Sequence, residues 1–139
     1  MILADTGFWL ALANRRDRYH GAAVVALAAL REPLITTWPV MTETCHLLAT
    51  QLGPDAQLTF LQNAARGAFQ IFALEASHLP RIAVLTEQYR ALPMDLADAS
   101  LVVLAESLGT AKILSTDRRD FAAYRWKRTK PFVNLLPEL

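Results

Sequence analysis

The chain has 139 residues, 53% of them apolar, and a formal charge of only +1. That length and apolar content suit one domain with a core of its own, and they exclude a disordered chain or a generally basic nucleic-acid coat. The longest unbroken apolar run, residues 22–30, is nine residues, far short of the ~20 needed to cross a bilayer, so no membrane association is expected.

In chain order, Met1 to Ala4 is a short apolar run of the kind buried on both faces of a sheet, and Thr6-Gly7 turns it into a helix. Gly21 to Arg31 is Ala-rich and helical, with Pro33 ending it before a second strand, Leu34 to Thr37. Helices are predicted over Met41 to Leu52 and Asp55 to about Arg66, separated by Gly53-Pro54. Phe69 to Leu74 reads as the third strand, and Ser77 as the cap of a helix from about His78 to Ala91. Asp95 caps an apolar helix running to Leu108, Ala111 to Ser115 is the fourth strand, and Phe132 to Leu135 a plausible edge strand. Short strands alternating with helices predict a single α/β domain over 1–139, a three-layer α/β/α arrangement around a parallel sheet of four to five strands.

Four acids stand at the ends of these segments: Asp5, Glu43, Asp98 and Asp117. On a parallel sheet, residues that follow strands meet at one edge, so carboxylates distant in sequence can converge. Each also has a purely structural explanation. Asp5 and Asp95 are natural helix caps, and Glu43 and Asp98 are expected in first turns, where acids complement the helix dipole. Asp95 and Asp98 share a helix face, and Asp120 is either a further acid of the site or an anchor for a basic loop. Crowded acids disfavour one another's ionisation, so a cluster calls for a cation. With no His or Cys at zinc-ligand spacing, the expected guest is Mg²⁺ or Mn²⁺, one or two ions.

Other residues are weaker candidates. Glu43 and His46 form a Glu-x-x-His pair that lacks the second pair a di-iron bundle needs. Cys45 has no basic neighbour to activate it, and as a lone cysteine it forms no internal bridge, which suits a reducing cytoplasm, as does an N-terminus unlike a signal peptide. Trp126 and Tyr124 could stack on bases, as could Trp38, although its place before Pro39 reads more simply as a packed connection. Glycine-rich nucleotide loops are absent. Six bases, Arg118, Arg119, Arg125, Lys127, Arg128 and Lys130, stand against the single acid Asp120 and form a positive patch suited to phosphates, with Arg15, Arg16 and Arg18 as a second group.

The order Asp-Thr-Gly near the start, a helix-borne Thr-Glu, MDLADASLVVLAE and LSTDRRDF resembles the PIN-domain ribonucleases, above all the VapC-type toxins of bacterial toxin–antitoxin pairs, over essentially the whole chain. The resemblance implies that Asp5, Glu43, Asp98 and Asp117 bind metal, that Thr6, Asp95, Thr116 and Asp120 support them, and that the activity is endonucleolytic RNA hydrolysis. Gly7 stands where many relatives have Ser. It further implies a small antitoxin protein as partner and a homodimer. The alternatives are a non-catalytic interaction module of the same fold and a phosphotransfer receiver domain; the latter fits poorly, because Glu75-Ala76 and Thr116-Asp117 stand where its acceptor Asp and its Lys belong.

Overall fold

The computed structural model describes all 139 residues. Five strands, β1 (Ile2–Ala4), β2 (Leu34–Thr37), β3 (Gln70–Phe72), β4 (Lys112–Leu114) and β7 (Val133–Asn134), form one parallel sheet in the order β3-β2-β1-β4-β7. Between β4 and β7 lie a helix, α7 (Arg118–Ala123), and a small antiparallel hairpin, β5 (Arg125–Trp126) with β6 (Lys130–Pro131). Leu3 sits centrally, in register with Ile35 on one side and Ile113 on the other.

The connections from β1 to β2 and from β2 to β3 run outward on one side, through α1 (Thr6–Ala13), α2 (His20–Ala29), α3 (Trp38–Leu52) and α4 (Pro54–Ala65). The chain then returns through α5 (Leu79–Gln88) and α6 (Leu96–Leu108) to place β4 on the other side of β1. Right-handed crossovers in opposite directions put α1–α4 on one face and α5–α6 on the other, which gives the three layers. The strand order reverses between β1 and β4, and it is at such a reversal that an open α/β sheet forms a crevice beyond its carboxyl edge. Apolar side chains on both faces bury β1 completely, and α6 is buried from Ala99 to Ala105.

Several expectations are corrected. α3 starts at Trp38, not Met41, because Thr37 Oγ1 accepts the Val40 N–H at 3.4 Å and Pro39 fits the first turn of a helix, where its missing N–H costs nothing. Glu43 therefore lies in the second turn, and the dipole explanation for it falls away. Trp38 is not packed but 57% exposed. β3 and β7 are shorter than predicted, and Glu75 rather than Ser77 caps the chain after β3, in a reciprocal bond with His78 across a 3₁₀ turn, Ala76–His78. No helix is long and apolar enough to cross a membrane.

Candidate active site

Asp5 leaves the carboxyl end of β1 and caps α1, its Oδ1 accepting the Thr6 N–H at 2.7 Å. Its Oδ2 accepts from Ser115 Oγ at 2.9 Å, and Ser115 Oγ in turn accepts the Asp117 N–H at 3.0 Å. One hydroxyl thus ties the acid after β1 to the acid after β4. Ser115 is held by Asn134 of β7, which donates to the Ser115 carbonyl at 2.9 Å and accepts its N–H at 3.3 Å. Neither residue stands out in the sequence; the available signal was a short hydroxyl side chain two residues before an acid.

Asp98 lies in the first turn of α6, where its N–H donates to Asp95 Oδ1 at 2.8 Å, so Asp95 is the cap of that helix. Tyr124 Oη donates to Asp98 Oδ2 at 2.9 Å. Oxygens of Asp98, Asp117 and Asp120 lie within 4.8 Å of one another. Asp120 therefore belongs with Asp98 and Asp117, one helical turn on from Asp117 along α7. Glu43 is outside this trio, but its charge acts on Asp5, and it lines a groove with Asp95 and His46. His46 shares that groove with no second Glu-x-x-His pair.

The electrostatics follow from crowding. Burial pushes the Asp98 carboxyl up to about 8, helped by the charges of Asp5 and Asp95 and opposed by the Tyr124 hydrogen bond. Burial raises Asp5 to about 6 against the pull of Thr6 N–H and Ser115, with Glu43 and Asp117 adding repulsion. Burial and its neighbour Asp120 raise Asp117 to about 6 as well. Tyr124 is pushed above its usual range by burial and by Asp98. An all-oxygen donor set that resists ionisation until positive charge arrives fits a hard divalent cation.

Around the acids, Thr6 Oγ1 is buried without a hydrogen-bond partner. Thr116 Oγ1 occupies the space of the side chain that Gly7 lacks: a Cβ there would lie 1.8 Å from it.

The predicted basic patch divides. Arg118 Nη1 donates to the Leu136 carbonyl at 2.7 Å, and Arg125 Nη1 caps α7 through the carbonyls of Ala122, Ala123 and Tyr124. Arg119, Lys127, Arg128 and Lys130 are exposed, with Lys127 and Lys130 placed over the Trp126 ring at 5.8 and 5.0 Å. Trp126 and Tyr124 are buried, so neither offers a free ring face. Arg15 and Arg16 follow α1, whose length carries them roughly 12 Å from Asp5 along its axis. No hydrogen bond or ion pair joins either side chain to the acids. Away from the site, a cleft of about 440 Å³ between α1, α3 and α4 is lined mostly by apolar side chains, among them Trp9, Phe60 and Phe69.

A three-layer α/β/α domain with carboxylates converging at its strand-order reversal has the architecture of a hydrolase whose site is built from oxygen donors. Residues 2–127 match the PIN domain family, and the chain belongs to it. It is 32% identical over 124 residues to ribonuclease VapC26 of Mycobacterium tuberculosis, covering 89% of this chain and 92% of that one. Its fold matches the crystal structure of VapC20 from the same organism, a sarcin–ricin loop cleaving toxin, with a TM-score of 0.84 over 94% of this chain and 100% of the other, at 22% identity.

Proposed function

We propose that this chain is a divalent-metal-dependent endoribonuclease and the toxin of a toxin–antitoxin pair. The observation that carries the reading is the convergence of Asp98, Asp117 and Asp120 within 4.8 Å at the carboxyl edge, beside the buried Asp5. Asp5, Asp98 and Asp117 would hold Mg²⁺ or Mn²⁺, with Asp120 completing the set and Glu43 approaching from α3. One or two ions are compatible with that number of carboxylates. A cation so held supplies Lewis-acid stabilisation of charge on the attacked phosphate and a lowered pKa for water.

The chain's own residues do the rest. Tyr124 orients Asp98 and favours its ionised form; Ser115 fixes Asp5 relative to Asp117. The one serine hydroxyl among the acids, Ser115 Oγ, is held between Asp5 and the Asp117 N–H, and burial raises the Cys45 thiol, so water is the attacking species. Lys127, Arg128 and Lys130 on the hairpin, with Arg119 beside Asp120, offer exposed cations to an RNA backbone that the acids would otherwise repel. The complete acid set argues against a non-catalytic interaction module.

The restraining partner is a small antitoxin, and the toxin itself a homodimer in the cytoplasm. α2 carries no charged residue and leaves Val24, Val25 and Leu27 exposed, an apolar face suited to a protein partner. The single free cysteine suits a reducing compartment.

The test is cleavage of cellular RNA by metal-stripped protein to which Mg²⁺ or Mn²⁺ is returned. Cleavage should depend on the metal and end in EDTA; undiminished cleavage in excess EDTA would overturn the metal-dependent reading. Expression should arrest growth unless the small neighbouring reading frame is co-expressed. Normal growth at levels that cleave RNA in vitro would remove the toxin assignment and leave the nuclease.

A further inference from the structure

Trp38 is the large aromatic side chain that folding leaves uncovered. It is 57% exposed, whereas Trp9 and Trp126 are each 7% exposed. Trp9 is wrapped by Phe8, Phe60 and Phe69, and Trp126 donates its indole N–H to the Pro131 carbonyl beneath two lysines. Trp38 has no ring or cation against it.

Its position is nonetheless rigidly set. Trp38 directly follows β2, so it stands at the same carboxyl edge as Asp5 on the neighbouring strand. Thr37 Oγ1 lies 2.6 Å from Ser100 Oγ, which ties the residue before Trp38 to the residue two beyond Asp98. Pro39 follows and fixes the backbone, and the Trp38 carbonyl accepts from Thr42 Oγ1 at 3.1 Å. The backbone that carries the indole is thus fixed at the edge where the acids stand.

The indole forms one side of an open groove of about 650 Å³ in which Leu74 and Leu96 supply apolar surface and Glu43, Asp95 and His46 supply polar edges. Leu96 is itself 53% exposed. Glu43 and Asp95 repel a phosphate from this groove, so an RNA strand whose scissile phosphate lies at the acid cluster would turn an uncharged base, not its backbone, toward Trp38. The room suffices for a nucleoside.

We propose that Trp38 is a stacking platform that seats one unpaired nucleobase of the RNA substrate and thereby positions the adjacent phosphate over Asp98, Asp117 and Asp120. The proposal rests on the ribonuclease reading. It makes Trp38 a positioning residue, selects substrates whose base is unstacked at the cleavage point, and predicts indifference to which base it is, because every base has a π-face.

The test compares steady-state RNA cleavage in Mg²⁺ by the wild type, Trp38→Ala, Trp38→Leu and Trp38→Phe. Stacking predicts a KM increase on the order of 5- to 100-fold in Trp38→Ala and Trp38→Leu, accompanied by a fall in kcat as the phosphate is less well placed, and smaller changes of both in Trp38→Phe. Trp38→Leu retains an apolar side chain, so a loss confined to aromaticity is read directly. In a parallel titration, a single-stranded oligoribonucleotide should quench the exposed-tryptophan fluorescence of Asp98→Asn but not that of Asp98→Asn/Trp38→Ala, and an oligonucleotide with abasic sites should quench neither. Equal KM values in all four proteins, or quenching that survives loss of Trp38, overturns the proposal. Unchanged RNA kinetics together with loss of a co-purifying small protein from Trp38→Ala overturns it too and assigns the ring to a protein contact. Absence of any cleavage by the wild type is a different result, the failure of the ribonuclease reading itself.

Discussion

Tyr124 Oη donates a 2.9 Å hydrogen bond to Asp98 Oδ2, joining the end of α7 to the first turn of α6. Among the influences on Asp98 it is the one that favours the ionised carboxylate, against burial and the charges of Asp5, Asp95 and Asp117. Tyr124→Phe should therefore push Asp98 higher still and weaken metal binding at pH 7, by roughly tenfold or more, as is usual when a ligand loses its supporting hydrogen bond. Mg²⁺ titrations of activity at pH 7 and pH 9 check this. The gap between variant and wild type should narrow from pH 7 to pH 9, as Asp98 gives up its proton in the wild type and then in the variant; a gap independent of pH would mean that Tyr124 acts through packing.

Crowded carboxylates also predict how the metal-free protein responds to pH. The folded-state values of Asp5 and Asp117, about 6, and of Asp98, about 8, all exceed the ordinary 3.8. The folded protein then binds more protons than the unfolded chain in this range, so the contribution of these groups is full below about pH 4 and is lost as pH rises through 6 to 8. Melting temperatures in EDTA should fall between pH 5 and 8.5, and saturating Mg²⁺ should flatten that slope. Asp98→Asn should abolish cleavage yet melt higher than wild type in EDTA at pH 8, since Asn still accepts from Tyr124 without a buried charge. A lower melting point would instead mark Asp98 as a structural residue.

Gly7 and Thr116 form a complementary pair. A Cβ at position 7 would lie 1.8 Å from Thr116 Oγ1 and 3.0 Å from Thr116 Cβ, so rotating the hydroxyl away relieves only part of the overlap. Gly7→Ser alone should destabilise by about 1–3 kcal/mol, and Thr116→Ala in the same chain should recover much of the loss. Denaturant midpoints of the two single variants and the double variant measure the coupling, and strict additivity would refute it.

The basic residues should separate into two groups. Lys127 and Arg128 have φ of 45° and 70° at the hairpin tip, left-handed conformations that cost a side-chain-bearing residue roughly 1–2 kcal/mol and that Asn-Gly adopts readily. Lys127→Asn with Arg128→Gly should raise the melting temperature by a few degrees while lowering the log–log salt slope of RNA binding by about two. Arg118→Gln and Arg125→Gln should instead lower stability, since both guanidinium groups are spent on backbone carbonyls. A salt slope that falls equally for both pairs would remove the distinction.

Much of the architecture was legible in one dimension because its causes are local. The apolar runs of β1, β2 and β4, the breaks at Gly53-Pro54 and Gly109, and the cap at Asp95 depend on neighbours within a few residues. Asp5, Asp98 and Asp117 could be singled out because each follows or opens an apolar element, and a parallel sheet gathers such positions at one edge. Trp38 was misread for an equally local reason: a residue before proline reads as extended, whereas Thr37 and Pro39 together start a helix there.

By itself, then, the sequence determined the order of the five sheet strands and the helices up to β4, the family pattern and the acids at the element ends, because periodicity, caps and breakers act over short stretches of chain; the short α7 and the β5–β6 hairpin left no such signal. Only the tertiary structure decided that Asp120 joins Asp98 and Asp117, that Ser115 links Asp5 to Asp117 across 110 positions of sequence separation from Asp5, and that Tyr124 supports Asp98. It also decided that Arg118 and Arg125 are consumed by carbonyls while the hairpin cations stay free. These are contacts between elements, whose partners are set by how helices and strands pack, and no short-range pattern encodes which side chains will meet.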